Sequence, residues 1–443
     1  MILNLDGLVG PSHFYGGLAL GNIASSLHKG DLSSPKQAAL QGLEKMWALH
    51  DLGLPQGIIP PPLRPNLSRL QQLGFSGPPA PIIQQSYREA PELLAACYSA
   101  SSMWAANSAT ITPSSDATDH RLHITPANLN SALHRSQEAE ESFRYFRTYF
   151  NDNTLFHCHS PLPSQRSFAD EGAANHIRLH DPTGDDFIHL FVYGDNNTET
   201  PSTAYPARQN RLASEAIIRR HNIPVEKVLL IQQNQIAIDK GAFHNDVVAV
   251  GLGNFLLLHE LAFVDQASVI KQLRQRTQHW QQPLCLYQVN QKELSLEEAI
   301  HSYLFNSQLI SLPSGQTIMI APLESQKSPS TLHVIQRLLE ENTPLSDVRY
   351  FDLRQSMNNG GGPACLRLAI PITEKELAAV DSRILMSDAL YTTLKHWINR
   401  HYRDRLSFQD LADPLLYSEI RDALFELSNL LHLEPLYAFP SNE

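Results

Sequence analysis

Val247-Val-Ala-Val-Gly-Leu-Gly-Asn-Phe-Leu-Leu-Leu-His-Glu-Leu-Ala-Phe-Val264 is the most apolar stretch of the chain, and its reading decides the fold. A helix that spans a bilayer needs about 20 apolar residues with few charges. Here Gly251, Gly253, Asn254, His259 and Glu260 break the run, so it reads as two strands, Val247–Val250 and Phe255–Leu258, around a Gly-Leu-Gly-Asn turn. Outward from this pair, apolar periodicity switches repeatedly between 2 and 3.6, the mark of a mixed α/β protein. Further strands are expected at Phe187–Tyr193, Val228–Ile231, Leu309–Leu312 and Thr317–Ile320, the last two flanking Pro313-Ser314-Gly315. Short turns between neighbours favour antiparallel pairing over a wholly parallel sheet.

Helices are expected at Lys36–Asp51, Ala132–Thr148, Arg211–His221, Leu296–Phe305, Leu332–Glu341, Arg383–Tyr402 and Ser418–Leu431. Ser34-Pro35 supplies a helix start, and Ser295 with Glu298 fits a capping box. Helix and strand pair alternate along most of the chain, which suggests several similar α/β modules, although no fixed repeat is legible in residue identities. Leu54–Pro65 and Gly77–Ile83 read as extended surface excursions. No Gly/Ser linker or charge block divides the sequence, so residues 1–443 are expected to form one catalytic domain.

Composition narrows the function classes. Lys+Arg is 34 against Asp+Glu 45, a net charge of −11, whereas proteins that grip nucleic acid or anionic membranes gather positive charge. The cysteines, Cys97, Cys158, Cys285 and Cys365, are too few for a disulfide scaffold and contain no C-x-x-C pair. The N-terminal Met-Ile-Leu-Asn-Leu-Asp-Gly lacks the basic start and apolar run of a secretory signal. A reduced, soluble, cytoplasmic protein is the expectation.

The chemistry concentrates in Ser356-Met-Asn-Asn-Gly-Gly-Gly-Pro-Ala-Cys365-Leu-Arg367. Three glycines and a proline cannot continue a helix or a regular strand. They let backbone approach a ligand closely and deliver Cys365 at the edge of a strand, Leu366–Ile370. A lone cysteine is more often a small buried hydrophobe; in this setting Cys365 is a candidate nucleophile, provided a base or a positive field lowers its thiol pKa. Gly241-Ala-Phe-His244-Asn245-Asp246 leads into the strand Val247–Val250. If extended geometry begins at His244, alternation puts His244 and Asp246 on one face, an imidazole to move protons beside a carboxylate to hold a cation. A plain surface loop is the competing reading.

Phe168-Ala-Asp170-Glu171-Gly172-Ala-Ala-Asn175-His176 offers a further carboxylate, though alone it reads first as an acidic turn. His157-Cys158-His159 has no accompanying ligand run and reads as alternating histidines of a strand rather than a metal site. Gly16-Gly17-Leu18-Ala19-Leu20-Gly21-Asn22-Ile23-Ala24-Ser25 is neither a P-loop nor a dinucleotide turn; it reads as a backbone-rich loop that closes over a ligand.

Together with Asp6–Ser25, Met103-Trp-Ala-Ala-Asn107 and Pro206-Ala-Arg208-Gln209, these segments resemble the succinylarginine dihydrolase family over nearly the whole chain. That family lies in the guanidino-group-modifying pentein superfamily. The resemblance implies a five-bladed, pseudo-fivefold α/β propeller with a central active site. It implies Cys365 as nucleophile with His244 and Glu171 completing the catalytic set. It implies substrate binding by the loop Gly16–Ser25 and by Asn107, His134, Arg135, Arg208, Asp246 and Asn359. Ile23 departs from the charged residue often found in the family pattern.

The implied reaction converts N2-succinyl-L-arginine to N2-succinyl-L-ornithine, two ammonia and CO2, in arginine catabolism by the succinyltransferase route. A guanidinium is a resonance-stabilised cation and a poor electrophile, so carboxylates must hold its N–H groups while the thiolate attacks its carbon. Glu171 is expected to orient His244 and favour its protonated form, and Arg135 and Arg208 to clamp the succinyl carboxylates. No metal or organic cofactor is needed, and a homodimer is implied. Two competing readings are a deiminase that stops at the ureido product and a non-catalytic arginine-derivative binding protein. A metal-dependent ureohydrolase should show Asp/His ligand runs such as D-x-H-x-D, which the sequence lacks.

Overall fold

The computed structural model describes residues 1–99, 101–195, 204–433 and 436–437. Its sheets repeat one plan. The first blade holds β1 (Ile2–Gly7) and β2 (Gln56–Ile59); the second β3 (Ala109–Thr112), β4 (Leu122–Pro126) and β5 (Phe156–Cys158). The third holds β6 (His176–His180), β7 (Phe187–Tyr193) and β8 (Val228–Gln232). The fourth holds β9 (Ala249–Leu252), β10 (Phe255–His259) and β11 (Cys285–Val289), and the fifth β12 (Gln308–Ser311), β13 (Thr317–Pro322) and β14 (Leu345–Phe351). The last strand, β15 (Arg367–Pro371), returns to pair with β1, from Ile2↔Pro371 to Asp6↔Arg367, and closes the ring.

Each sheet has three strands, with one antiparallel and one parallel pair. A parallel pair needs a crossover. The blades supply it with the helices Pro35–Asp51, Glu138–Tyr149, Arg211–Arg220, Gln266–Thr277 and Pro329–Glu340 in turn. The five small sheets form the five-bladed α/β propeller.

The opening stretch shows why the blades stack. Every residue of β10 is buried. Leu256 and Leu258 join one core with Ile177, Leu190 and Ile231 of the third blade, while Phe255 and Leu257 join another with Leu309 and Met319 of the fifth. Side chains that alternate across a strand therefore feed two neighbouring cores, which is why the run is apolar at both parities. The largest core unites the first two blades with the C-terminal helices Asp388–His401 and Pro414–Leu431.

Several local expectations change. Val247 ends a 3-10 turn, Asn245–Val247, and the strand begins at Ala249. The backbone turns there because Asn245 N–H is drawn onto Asn175 Oδ1 at 2.9 Å. Leu54–Pro65 is no surface excursion: it contains β2, and Gln56, Ile58 and Arg64 are buried. Gly77–Ile83 runs into the helix Pro79–Glu89, which buries Ile82 and Ile83. The stretch Ala132–Thr148 is two helices, Leu133–Ser136 and Glu138–Tyr149, meeting at buried Gln137. The helix from Leu296 stops at Ser302 because Tyr303 takes φ 57°. Helices begin earlier than expected at Pro329 and Pro414, where Ser328 and Asp413 cap and proline fills the first turn. Arg383 lies in a separate turn, Ser382–Ile384, ahead of the helix capped by Ser387. Ser34 and Ser295 cap as expected; the reciprocal box itself forms at Thr373 and Glu376.

Candidate active site

The inner strand of each blade is an edge strand of its sheet, paired antiparallel with its neighbour, and each is preceded by polar residues. Asn107 precedes β3, Glu171 and Asn175 precede β6, His244 and Asp246 precede β9, Asn306 precedes β12, and Cys365 precedes β15. One cavity opens onto this end of the ring, lined by Cys365, His244, Asn107, His134, Arg135, Arg208 and Asn359. From the loop, Gly16, Leu18, Ala19, Asn22 and Ser25 line it too. Glu171 and Asp246 stand behind His244 and Cys365, bonded to them. The remaining loop positions face elsewhere. Leu20 is exposed, Gly17 backs onto Lys29, Gly21 onto Tyr205, and Ile23 packs against Gly241.

Cys365 is buried, and its Sγ donates to Asp246 Oδ2 at 3.3 Å and accepts from Asn306 Nδ2 at 3.2 Å. Burial pushes its thiol well above the usual range and Asp246 adds to the rise, while hydrogen bonds from Asn306 and the Gly362 backbone oppose it. Burial also raises the Asp246 carboxyl to about 7, against the opposing bonds from Cys365 and Asn306. A buried thiol and a buried carboxyl thus share one hydrogen bond.

His244 Nε2 lies 2.8 Å from Glu171 Oε2, and its Nδ1 is buried with no hydrogen-bond partner among the described residues. Burial lowers the imidazole to about 4; Glu171 opposes the fall, while Arg208 and Arg135 reinforce it. Glu171 therefore orients the ring and favours its protonated form, while burial sets the net direction downward. Burial would raise Glu171 itself, yet Arg135, His244 and Arg208 keep it well below the carboxylate range. Its carboxylate is fully engaged, by Arg135 Nη1, by His244 and by Ser131 Oγ at 2.8 Å. Gln209 Oε1 accepts from its backbone N–H at 2.8 Å, and Asn107 Nδ2 donates to its carbonyl at 2.9 Å.

Arg208 lies over the Phe243 ring at 4.4 Å and donates to Leu20 O at 2.6 Å. Among the described residues no carboxylate pairs with it at ion-pair distance. Burial lowers His134 to about 3, and Arg135 and Arg208 add to this, so one wall is cationic apart from Glu171.

The glycine run does something the sequence reading did not foresee. Gly360 has φ 108°, and a Cβ there would lie 1.9 Å from Asn22 Nδ2; one on Gly361 would meet Trp104 at 2.4 Å, and one on Gly362 Asn306 Oδ1 at 2.7 Å. The space is taken by the site's own side chains. Asn22 Nδ2 donates to Gly360 O at 2.9 Å and Asn359 Nδ2 to Phe14 O at 3.3 Å, which fastens the loop to the cysteine turn. Sequence reasoning missed Asn306, whose signal is positional: like Asn107, it precedes an inner strand. It also missed His13, which lines the cavity with both ring nitrogens buried and, among the described residues, unpartnered.

Five blades with polar residues gathered at one end of their inner strands define a pentein-fold protein. The N-terminal domain of ArgZ, an arginine dihydrolase from the ornithine-ammonia cycle in cyanobacteria solved with substrate bound, has the same fold. It superposes with a TM-score of 0.50 at 14% identity, over 84% of this chain and 99% of that one. The chain spans 42% of full-length ArgZ. Within the fold class, the chain belongs to the succinylarginine dihydrolase family, whose model matches residues 1–440. It is 48% identical over 439 residues to the N-succinylarginine dihydrolase of Shewanella sp. strain ANA-3, covering 98% of each chain. It is 47% identical over 440 residues to that of Aeromonas hydrophila, covering 99% of this chain and 98% of that one. No described helix is long and apolar enough to cross a membrane.

Proposed function

We propose that the protein hydrolyses N2-succinyl-L-arginine to N2-succinyl-L-ornithine, two ammonia and CO2, a step of arginine catabolism, by covalent catalysis at Cys365. The observation that carries this reading is the Cys365 Sγ to Asp246 contact of 3.3 Å, in a chain of this family. A bound guanidinium pairs with Asp246 and offsets the negative charge that opposes thiolate formation. Neutral His244, with Nε2–H donated to Glu171, keeps Nδ1 free to take the thiol proton. The thiolate attacks the guanidinium carbon, His244 returns the proton to departing ammonia, and an amidino-thioether remains.

His244 then deprotonates a water that attacks the same carbon, and the C–S bond breaks to give the ureido compound. A second round on that group releases succinylornithine, ammonia and CO2. Arg208 and Arg135 hold the succinyl carboxylates from the wall of the cavity that they line beside neutral His134. The loop Gly16–Ser25 covers the bound substrate, with Asn107 and Asn359 at its margins. The chain acts as one catalytic domain over residues 1–443, as a cytoplasmic homodimer, without a cofactor in the reaction.

The test is ammonia release from N2-succinylarginine by wild type and Cys365→Ser, with and without EDTA, products being identified by mass spectrometry. Two ammonia per succinylornithine, lost in the mutant and indifferent to EDTA, is the expected result. Accumulation of succinylcitrulline would limit the enzyme to deimination, and activity surviving in the mutant would overturn the covalent route.

A further inference from the structure

The second blade carries a histidine cluster at the end of its strands away from Cys365. His123 and His157 are register partners on the parallel strands β4 and β5, and His159 follows two residues on. Alternation turns Cys158 to the opposite face, against the main core. One ring nitrogen from each of His123, His157 and His159 lies within 4.8 Å of the other two. The His157 and His159 rings stack at 3.9 Å.

We propose that His123, His157 and His159 bind a divalent borderline transition-metal ion, zinc above all, with solvent in the fourth position. Four observations support this. First, His123 Nε2 meets Asp119 Oδ1 at 2.8 Å, which fixes its tautomer and turns Nδ1 toward His159 Nε2, 2.9 Å away. A carboxylate on the far nitrogen is the usual outer partner of a metal-bound histidine. Second, His157 Nδ1 is buried with no hydrogen-bond partner among the described residues. Third, strand register gathers the rings: His123 is the partner of His157 across β4 and β5, and the His123 and His159 rings lie 5.1 Å apart. Fourth, His221 stacks on the cluster at 5.3 Å, but its nitrogens are occupied by Thr112 Oγ1 at 2.8 Å and Thr125 Oγ1 at 2.7 Å. It walls the site and does not ligate.

Imidazole nitrogens select zinc, copper or nickel over magnesium or calcium. His157 and His159 are half-buried, which leaves an entry for the ion and room for a solvent ligand. The bound ion would pin β4, β5 and the Asp119 turn together, and it takes no part in the reaction at Cys365.

The test uses the full chain as Cys365→Ser, which removes a thiol that could itself capture zinc, stripped with a chelator and titrated with Zn²⁺ against a chromogenic competitor. One equivalent per chain is expected. Cobalt in its place should give visible d–d bands without thiolate charge transfer. His157→Ala and His159→Ala should each weaken binding at least 100-fold, Asp119→Ala about 10–100-fold, and Cys158→Ala should leave it unchanged. Circular dichroism checks that each variant is folded, and the cobalt spectrum decides the matter on the unmutated cluster if one is not. Absence of a bound equivalent, thiolate bands in the cobalt spectrum, or affinity unchanged in folded His157→Ala and His159→Ala would overturn the site.

Discussion

Asp246 concentrates two opposed demands in one side chain. It must be ionised to hold a guanidinium, yet burial raises its carboxyl to about 7. A raised carboxyl keeps its proton as the pH falls through that value, so the competent form is lost below it and gained above it. With N2-succinylarginine, kcat/KM should fall about tenfold per pH unit on the acid side of roughly pH 7 and level off above it. A pH profile flat down to the ordinary carboxylate range would remove Asp246 from this role. His244 contributes no limb there, because burial already keeps it neutral down to about 4. Cys365 and its glycines were legible in the sequence because few other residue patterns make such a turn. The electrostatic state was not legible, since it depends on which groups burial places beside the thiol.

At the scale of elements, the loop and the cysteine turn behave as one unit through Asn22. Its Oδ1 accepts from Ser25 N at 3.1 Å, capping the short helix Ile23–Leu27, while its Nδ2 reaches Gly360 O. Asn22→Ala should cost about 1 kcal/mol as a lost cap, a small change in Tm, yet raise KM for succinylarginine by about tenfold with kcat less affected. Steady-state kinetics beside a thermal melt would check it, and an unchanged KM would count against a closing role for the loop. Strands such as Phe187–Tyr193 were legible because a central strand buried on both faces leaves an unbroken apolar run. Gln56–Ile59 was hidden among prolines that resemble a surface segment, and its burial follows only from parallel pairing with β1. Likewise His123 stands 34 residues before His157, and only strand register joins them.

For the whole molecule, the critical joint is where the ring closes. Lys45 Nζ, fully buried, lies 2.5 Å from Asp6 Oδ2 and donates to Gln308 Oε1 at 3.2 Å and Pro363 O at 3.4 Å. It thereby joins the first blade, the fifth blade and the turn that presents Cys365. Replacing one partner of a buried pair leaves the other charge stranded, at a cost of about 3–5 kcal/mol. Lys45→Met should show that loss in urea unfolding, and Lys45→Met/Asp6→Leu should recover most of it; equal loss in both would mean the pair contributes only packing. The fivefold repetition itself was not legible, because the blades share a fold plan and almost no residue identities.

Closure by β15 on β1 also bears on biosynthesis. The ribosome makes Asp6 long before its partner Arg367, and at about 5–20 residues per second the interval is roughly 20–70 s. Throughout it β1 has an open edge, the kind of surface that recruits other nascent chains. The same interval keeps the nucleophile apart from Asp246 and Asn306, since Cys365 arrives with the closing strand. An elongating chain is therefore chemically silent, and reactivity toward guanidines appears only when the circle is complete.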